Sequence, residues 1–302
     1  MNPPKSHPSA LDLTAILLLV VLCASWGLQQ ITIKVANNGV SPVFQAAIRS
    51  WGAALLVFLW MLFRGQKITA KDGTLGWGIL VGLVFSIEFM LIYWGLEYTA
   101  ASRAVIFFNT MPLFVALGAY LFLPSERLRL IQIIGLCCAF AGIVIAFSES
   151  ITHTDNRVLI GDSMLLVAGA LWAAVTVMVK ASPLAQTSPE KTLLYQLAVS
   201  ALFLPLISLG LNEPGIYRLT PLIIACLIYQ VVWVAFITYI AWFWLINNYP
   251  ATKISSFIFL TPLFGVIEGI VLLDETLSLR LVIALVMVCI GIYVVNRPNS
   301  ST

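Results

Sequence analysis

The chain has 302 residues, of which 61% are hydrophobic and 10% charged, and its formal net charge is +3. Soluble domains carry about 25% charged residues and about half apolar ones, so this composition excludes a soluble globular protein. The small positive balance is too weak to imply a nucleic-acid partner, which leaves a lipid bilayer as the environment the chain is built for.

Residues 1–10 form a tail, and 11–36 is the first run long enough to cross a bilayer, which takes about 20 apolar residues. It lacks a small-residue cleavage site followed by polar sequence, so it reads as a first span and not a removable signal. Further spans at 43–63, 75–97, 100–122 and 130–147 complete a unit over 11–147. A loop, 148–161, leads to a second unit over 162–296, with spans at 162–181, 190–210, 220–247, 250–273 and 278–296 and a tail at 297–302. The breaks carry turn chemistry, as in Asn37-Asn38-Gly39 and Asn212-Glu213-Pro214-Gly215. Ten spans put both termini on one side. That side collects Lys5, Arg64, Lys67, Lys71, Arg127, Arg129, Lys191 and Arg297, while the other holds Arg157, Arg218 and Arg280. The positive-inside rule makes the termini cytoplasmic. The five cysteines sit in apolar runs with no Cys/His spacing, so no metal, disulfide or cofactor is expected.

The two units repeat each other. Ala101-Ser102-Arg103, Phe107 and Pro112-Leu113-Phe114 recur as Ala251-Thr252-Lys253, Phe257 and Pro262-Leu263-Phe264. Trp26 and Lys34 are spaced as Trp172 and Lys180 are, and Glu126 and Gly142 match Glu275 and Gly291. Copies with an odd number of spans lie upside down relative to each other, which is the inverted-repeat plan of secondary transporters. The predicted fold is therefore all-α: ten transmembrane helices in two inverted five-helix repeats around a central cavity.

A charge deep in the bilayer is costly enough to be a functional hypothesis by default. Glu88 lies just past the middle of the third span, with Arg49 on the second span at nearly the same depth and Glu268 deep on the ninth. Two readings stand open: an internal ion pair among Arg49, Glu88 and Glu268, or a Glu88 that faces the cavity. Trp26, Gln30, Glu88, Asn109, Trp172, Tyr229 and Trp233 are the candidate cavity-lining residues, supplying a flat apolar wall and hydrogen-bonding groups. Trp242 and Trp244 read as an interfacial belt. Pro112 and Pro262 predict matched kinks, and Lys34, Lys180, Arg103 and Lys253, at span ends, are gating candidates beside plain snorkelling.

These repeated motifs resemble the drug/metabolite transporter superfamily over essentially the whole chain, and within it the EamA-type exporters, including the YddG-type exporters of aromatic and other amino acids. The resemblance implies inner-membrane location and export of small metabolites by alternating access, with amino acids as the expected substrates and a monomer or weak dimer as the expected assembly. A drug or nucleotide-sugar carrier is the alternative, although a nucleotide sugar needs cavity Lys/Arg for its phosphates. An intramembrane enzyme is the remote one, because no HExxH, no GxSxG and no paired intramembrane aspartates occur.

Overall fold

The computed structural model describes residues 11–66, 72–99, 101–126, 128–146, 148, 155–273 and 279–297. Among them the regular structure is helical, apart from one isolated bridge between Val40 and Ile216. The helices are α1 (Leu13–Ala36), α2 (Pro42–Phe63), α3 (Leu75–Tyr98), α4 (Ala101–Phe108), α5 (Met111–Phe122), α6 (Leu130–Ala146), α7 (Asn156–Ala181), α8 (Pro189–Gly210), α9 (Pro221–Ile228), α10 (Tyr239–Asn248), α11 (Ala251–Ser256), α12 (Thr261–Leu273) and α13 (Leu279–Asn296). A π-helical stretch, Tyr229–Thr238, joins α9 to α10, and a 3-10 turn, Phe257–Leu260, joins α11 to α12.

Starts are set by side chains that satisfy orphan backbone N–H groups. Asp12 accepts from Ala15 N at 2.8 Å, and Ser188 and Thr220 cap α8 and α9 ahead of Pro189 and Pro221. Glu213, in the turn after α8, caps a different helix: its two carboxylate oxygens accept from Val43 N at 3.0 Å and Phe44 N at 2.9 Å at the start of α2. The matched prolines act as helix breaks. Pro112 sits in the first turn of α5 and Pro262 in that of α12, where a missing N–H costs nothing. The helix before each is interrupted, at Asn109–Thr110 and at Phe257–Leu260.

Among the described residues, six helices are long and apolar enough to cross a membrane: α1, α2, α3, α7, α8 and the continuous stretch Pro221–Asn248. Shorter apolar helices cover Ile106–Phe122, Leu130–Ile145 and Val282–Asn296. Polarity runs inside out. Leu55, Phe63, Leu130, Leu202 and Leu209 are exposed, while Gln45, Arg49, Ser86, Glu88, Gln196 and Gln230 are fully buried. Such a surface is stable only where lipid covers it.

The helices pack in pairs related by exchanging the two halves. α6 packs on α13 and α2 on α8. The contact of α3 with α7 is mirrored by that of α1 with α9 and the π stretch, and α5 with α7 by α1 with α12. At the α6–α13 seam the backbones touch: a Cβ on Gly291 would lie 2.5 Å from the Gly135 carbonyl, which is why both positions need glycine.

Candidate functional site

A narrow cavity of about 50 Å³ lies among the helices of both halves. α1 contributes Trp26, Gln29 and Gln30, α3 contributes Glu88 and Phe89, and the α4–α5 break contributes Phe108 and Asn109. Trp172 comes from α7, Tyr239 from α10, and Ile258 and Thr261 from the broken α11–α12 segment. α6 and α13 contribute nothing to the lining. The two proline breaks thus lie in the cavity wall. A second void of about 10 Å³ adjoins Glu88, Trp172 and Gln196.

The aromatic residues interlock. Trp242 lies 5.0 Å from Trp172 and 5.5 Å from Trp26 between ring centroids, and Trp26 meets Tyr239 at 5.9 Å. These edge and tilted contacts set the wall rigidly. The Trp26 indole N–H donates to Thr238 Oγ1 at 3.0 Å. Trp242 is only 4% exposed, which corrects its reading as an interfacial residue; Trp244, at 39%, sits at the surface. Tyr229 and Trp233 turn elsewhere. The Tyr229 hydroxyl donates to the Ser25 carbonyl at 2.9 Å and the Trp233 N–H to Ser25 Oγ at 2.8 Å. Both therefore sit against α1 outside the cavity lining. The physical reason is the π stretch, whose i→i+5 bonding rotates later residues out of the phase an α-helix would give, so that Tyr239 and Trp242 take the inward face.

Glu88 is fully buried and neither carboxylate oxygen has a hydrogen-bond partner among the described groups. Arg49 is also fully buried, and none of its guanidinium nitrogens makes a well-formed hydrogen bond. No ion-pair contact joins the two, nor either to Glu268, which is half-buried on α12. A sleeve of rings holds Arg49 instead: its Cζ lies 3.9 Å from the Phe89 centroid, 5.0 Å from Tyr239 and 6.0 Å from Phe85. Such cation–π contacts offset part of the desolvation cost. Tyr93 donates to Gln230 Oε1 at 3.0 Å nearby, and both amide atoms of Gln196 are buried without a partner among the described groups. Gln196 and Tyr239 are not among the residues expected from sequence, since neither side chain's inward direction can be read without the packing of its helix.

At the end of the bundle where α1 begins, Lys180 reaches across three elements. Its ammonium pairs with Glu126 and donates to the Tyr249 carbonyl at 2.6 Å, while the second Glu126 oxygen accepts from Ala251 N at 2.6 Å. Both side chains are under 10% exposed. This clasp ties the ends of α5 and α7 to the start of α11. Lys34, its counterpart in the repeat, is exposed, and Lys253 is half-buried on α11. The Arg103 side chain, Glu275, Lys67, Lys71 and Arg127 lie outside the described residues.

Comparison with known proteins agrees with this architecture. The EamA-like transporter family matches residues 13–148 and again residues 159–297. The chain is 27% identical to a probable amino-acid metabolite efflux pump of Salmonella typhimurium, over 93% of this chain and 92% of that one. It is 22% identical to an uncharacterized transporter, YoaV, of Bacillus subtilis, over 89% of this chain and 91% of that protein. A solved crystal structure superposes with a TM-score of 0.77 at 18% identity, covering 93% of this chain and 98% of that one, which shows a shared fold.

Proposed function

We propose that this chain, which belongs to the EamA-like transporter family, exports amino acids, aromatic and other apolar ones among them, across the bacterial inner membrane by alternating access. The observation that carries the reading is the cavity: narrow, set between the two halves, walled by Trp26, Trp172 and Tyr239, and bearing one carboxylate without a hydrogen-bond partner among the described groups, Glu88. A carboxylate among aromatic faces suits an ammonium group joined to a flat apolar body. Gln30 and Asn109 add amide groups to the same wall. No lysine or arginine lines this cavity among the described residues, which disfavours a phosphate-bearing cargo. The name of the Salmonella relative points the same way.

Ten spans in two inverted units, 11–147 and 162–296, with cytoplasmic termini, supply the mechanism. Two adjacent family matches and the exchange-related helix contacts support the pairing of units. A site for a small ligand takes roughly 300 Å³ or more, so a cavity of about 50 Å³ must open to load. Broken helices at Pro112 and Pro262 let each unit swing about the site, and the Lys180–Glu126 clasp closes the cytoplasmic side. The YddG-type exporters, whose motifs the repeats resemble, are the branch proposed. Counterflow into liposomes containing the purified chain, with a panel of labelled amino acids, tests the reading. Accumulation of chemically unchanged aromatic amino acid is expected; chemical conversion, or uptake no faster than into empty liposomes, overturns it.

A further inference from the structure

Arg49 and Glu88 form a divided pair. Both side chains are fully buried on contacting helices α2 and α3; neither Glu88 oxygen has a hydrogen-bond partner among the described groups, and no guanidinium nitrogen of Arg49 makes a well-formed one. Burial of an unpaired charge is expensive, and so is that of a pair whose geometry leaves its hydrogen bonds unmade. Two rings are common to both surroundings: Phe89 and Tyr239 line the cavity and also meet the guanidinium, at 3.9 and 5.0 Å from Cζ to the ring centroids. Glu88 lines the cavity directly; Arg49 is not among its lining residues but meets these two that are.

Resting on the amino-acid reading above, we propose that Arg49 and Glu88 are the two halves of a zwitterion site, with Glu88 taking the cargo's ammonium and Arg49 its carboxylate once the Phe89–Tyr239 sleeve parts. The polarity is right: one anion and one cation, so that a molecule carrying both charges completes each, whereas a cargo with one charge leaves the other half unsatisfied. Guanidinium is the group for this, because its planar fork pairs with carboxylate bidentately. Gln45, one turn before Arg49 on α2, and Gln230 are fully buried, each with one amide atom unpartnered among the described groups. The element that must move is placed to do so. Tyr239 begins α10 where the π stretch ends, and π segments recur where helices adjust at functional sites. Swinging its ring aside would open a path from the cavity to Arg49. The cavity is small because the site is divided; loading and opening are one event.

Charge selectivity tests the inference, read as binding of three probes to the purified full chain by titration calorimetry: phenylalanine, phenethylamine, which lacks the carboxylate, and 3-phenylpropionate, which lacks the ammonium. The wild type is expected to prefer phenylalanine by about tenfold or more over each, the scale of one charge-assisted hydrogen bond. In Arg49→Gln the preference over phenethylamine collapses to within about threefold while phenethylamine affinity holds, and in Glu88→Gln the preference over 3-phenylpropionate collapses likewise. An Arg49→Gln protein that keeps the wild-type preference, or weakens all three probes equally, overturns the inference and leaves the amino-acid reading standing. A wild type that binds none of the three overturns both. Should Arg49→Gln fail to fold, Arg49→Lys, which keeps the charge but loses the fork, must lower the phenylalanine preference at least about threefold; an unchanged preference overturns the inference.

Discussion

Glu126→Gln offers a sharp test of the packing at the α1 end of the bundle. Glu126 pairs with Lys180 and accepts from Ala251 N, with side-chain exposures of 8% for Glu126 and 6% for Lys180. Glutamine keeps the shape and the bond to Ala251 N but removes the charge, leaving a buried ammonium held only by the Tyr249 carbonyl. Removing one partner of a buried pair costs about 3–5 kcal/mol. The surviving carbonyl contact and the freedom of a lysine stem to reach water reduce this to about 2–3 kcal/mol. For a chain of this size, with an unfolding entropy of about 2.1 cal/mol/K per residue, that is a fall in Tm of about 3–5 °C, readable by tryptophan fluorescence in detergent or nanodiscs. Lys180→Met alone should cost a similar amount, because it strands the carboxylate. The double variant should recover to within about 1 kcal/mol of wild type, since an apolar replacement of the whole pair is often neutral. A Glu126→Gln protein that melts within about 1 °C of wild type, or a double variant whose loss equals the sum of the singles, would refute the clasp as a coupled buried pair.

Gly291→Ala places a Cβ 2.5 Å from the Gly135 carbonyl and should lower stability by about 1–3 kcal/mol; Gly76→Ala, with nothing within 4 Å, should be neutral or better in the same melting assay. Glu213→Ala removes both caps at the start of α2 and should cost about 1–2 kcal/mol; Glu213→Gln should regain at most about half, because its one carbonyl oxygen replaces only one of the two acceptors and its NH2 group cannot accept from the other N–H. Asp72 pairs with Lys191 at 2.5 Å, and this hydrogen bond, joined by one from Thr74, holds its carboxyl well below the ordinary carboxylate range. A depressed folded pKa stabilises fully above the unfolded value of about 3.9 and is lost as pH falls below it. The melting temperature of Asp72→Asn should therefore decline less steeply than that of wild type below about pH 4.

The helical class and the membrane habit follow from composition alone, because an apolar run of span length has few other stable solutions. Glu88 stood out for a similar reason: a charge is so costly in that setting that its presence is informative without any knowledge of neighbours. What one sequence hides is phase and partnership. Tyr239 lines the cavity and Trp242 packs against Trp26 and Trp172 after ten residues that wind as a π-helix, which no local pattern announced. From sequence Glu126 is only the repeat match of Glu275, and Lys180 a gating candidate or a snorkelling terminus. Their pairing depends on the ends of α5, α7 and α11 meeting in space. Arg49 and Glu88 lie at nearly the same depth as counted along their helices, yet they make no ion-pair contact, and Arg49 packs on the rings of Phe89 and Tyr239 instead. Glu213 read as loop acidity because the helix it caps begins some 170 residues earlier in the chain.

The central claim is that Glu88, in the aromatic cavity, is where cargo is held. The direct measurement is counterflow of labelled phenylalanine into liposomes containing wild-type or Glu88→Gln protein, with the melting temperature of each preparation taken alongside. Uptake by wild type and at least a tenfold loss in a Glu88→Gln protein that remains folded is the predicted result, on the scale of one charge-assisted bond. Undiminished uptake by a folded Glu88→Gln protein would contradict it.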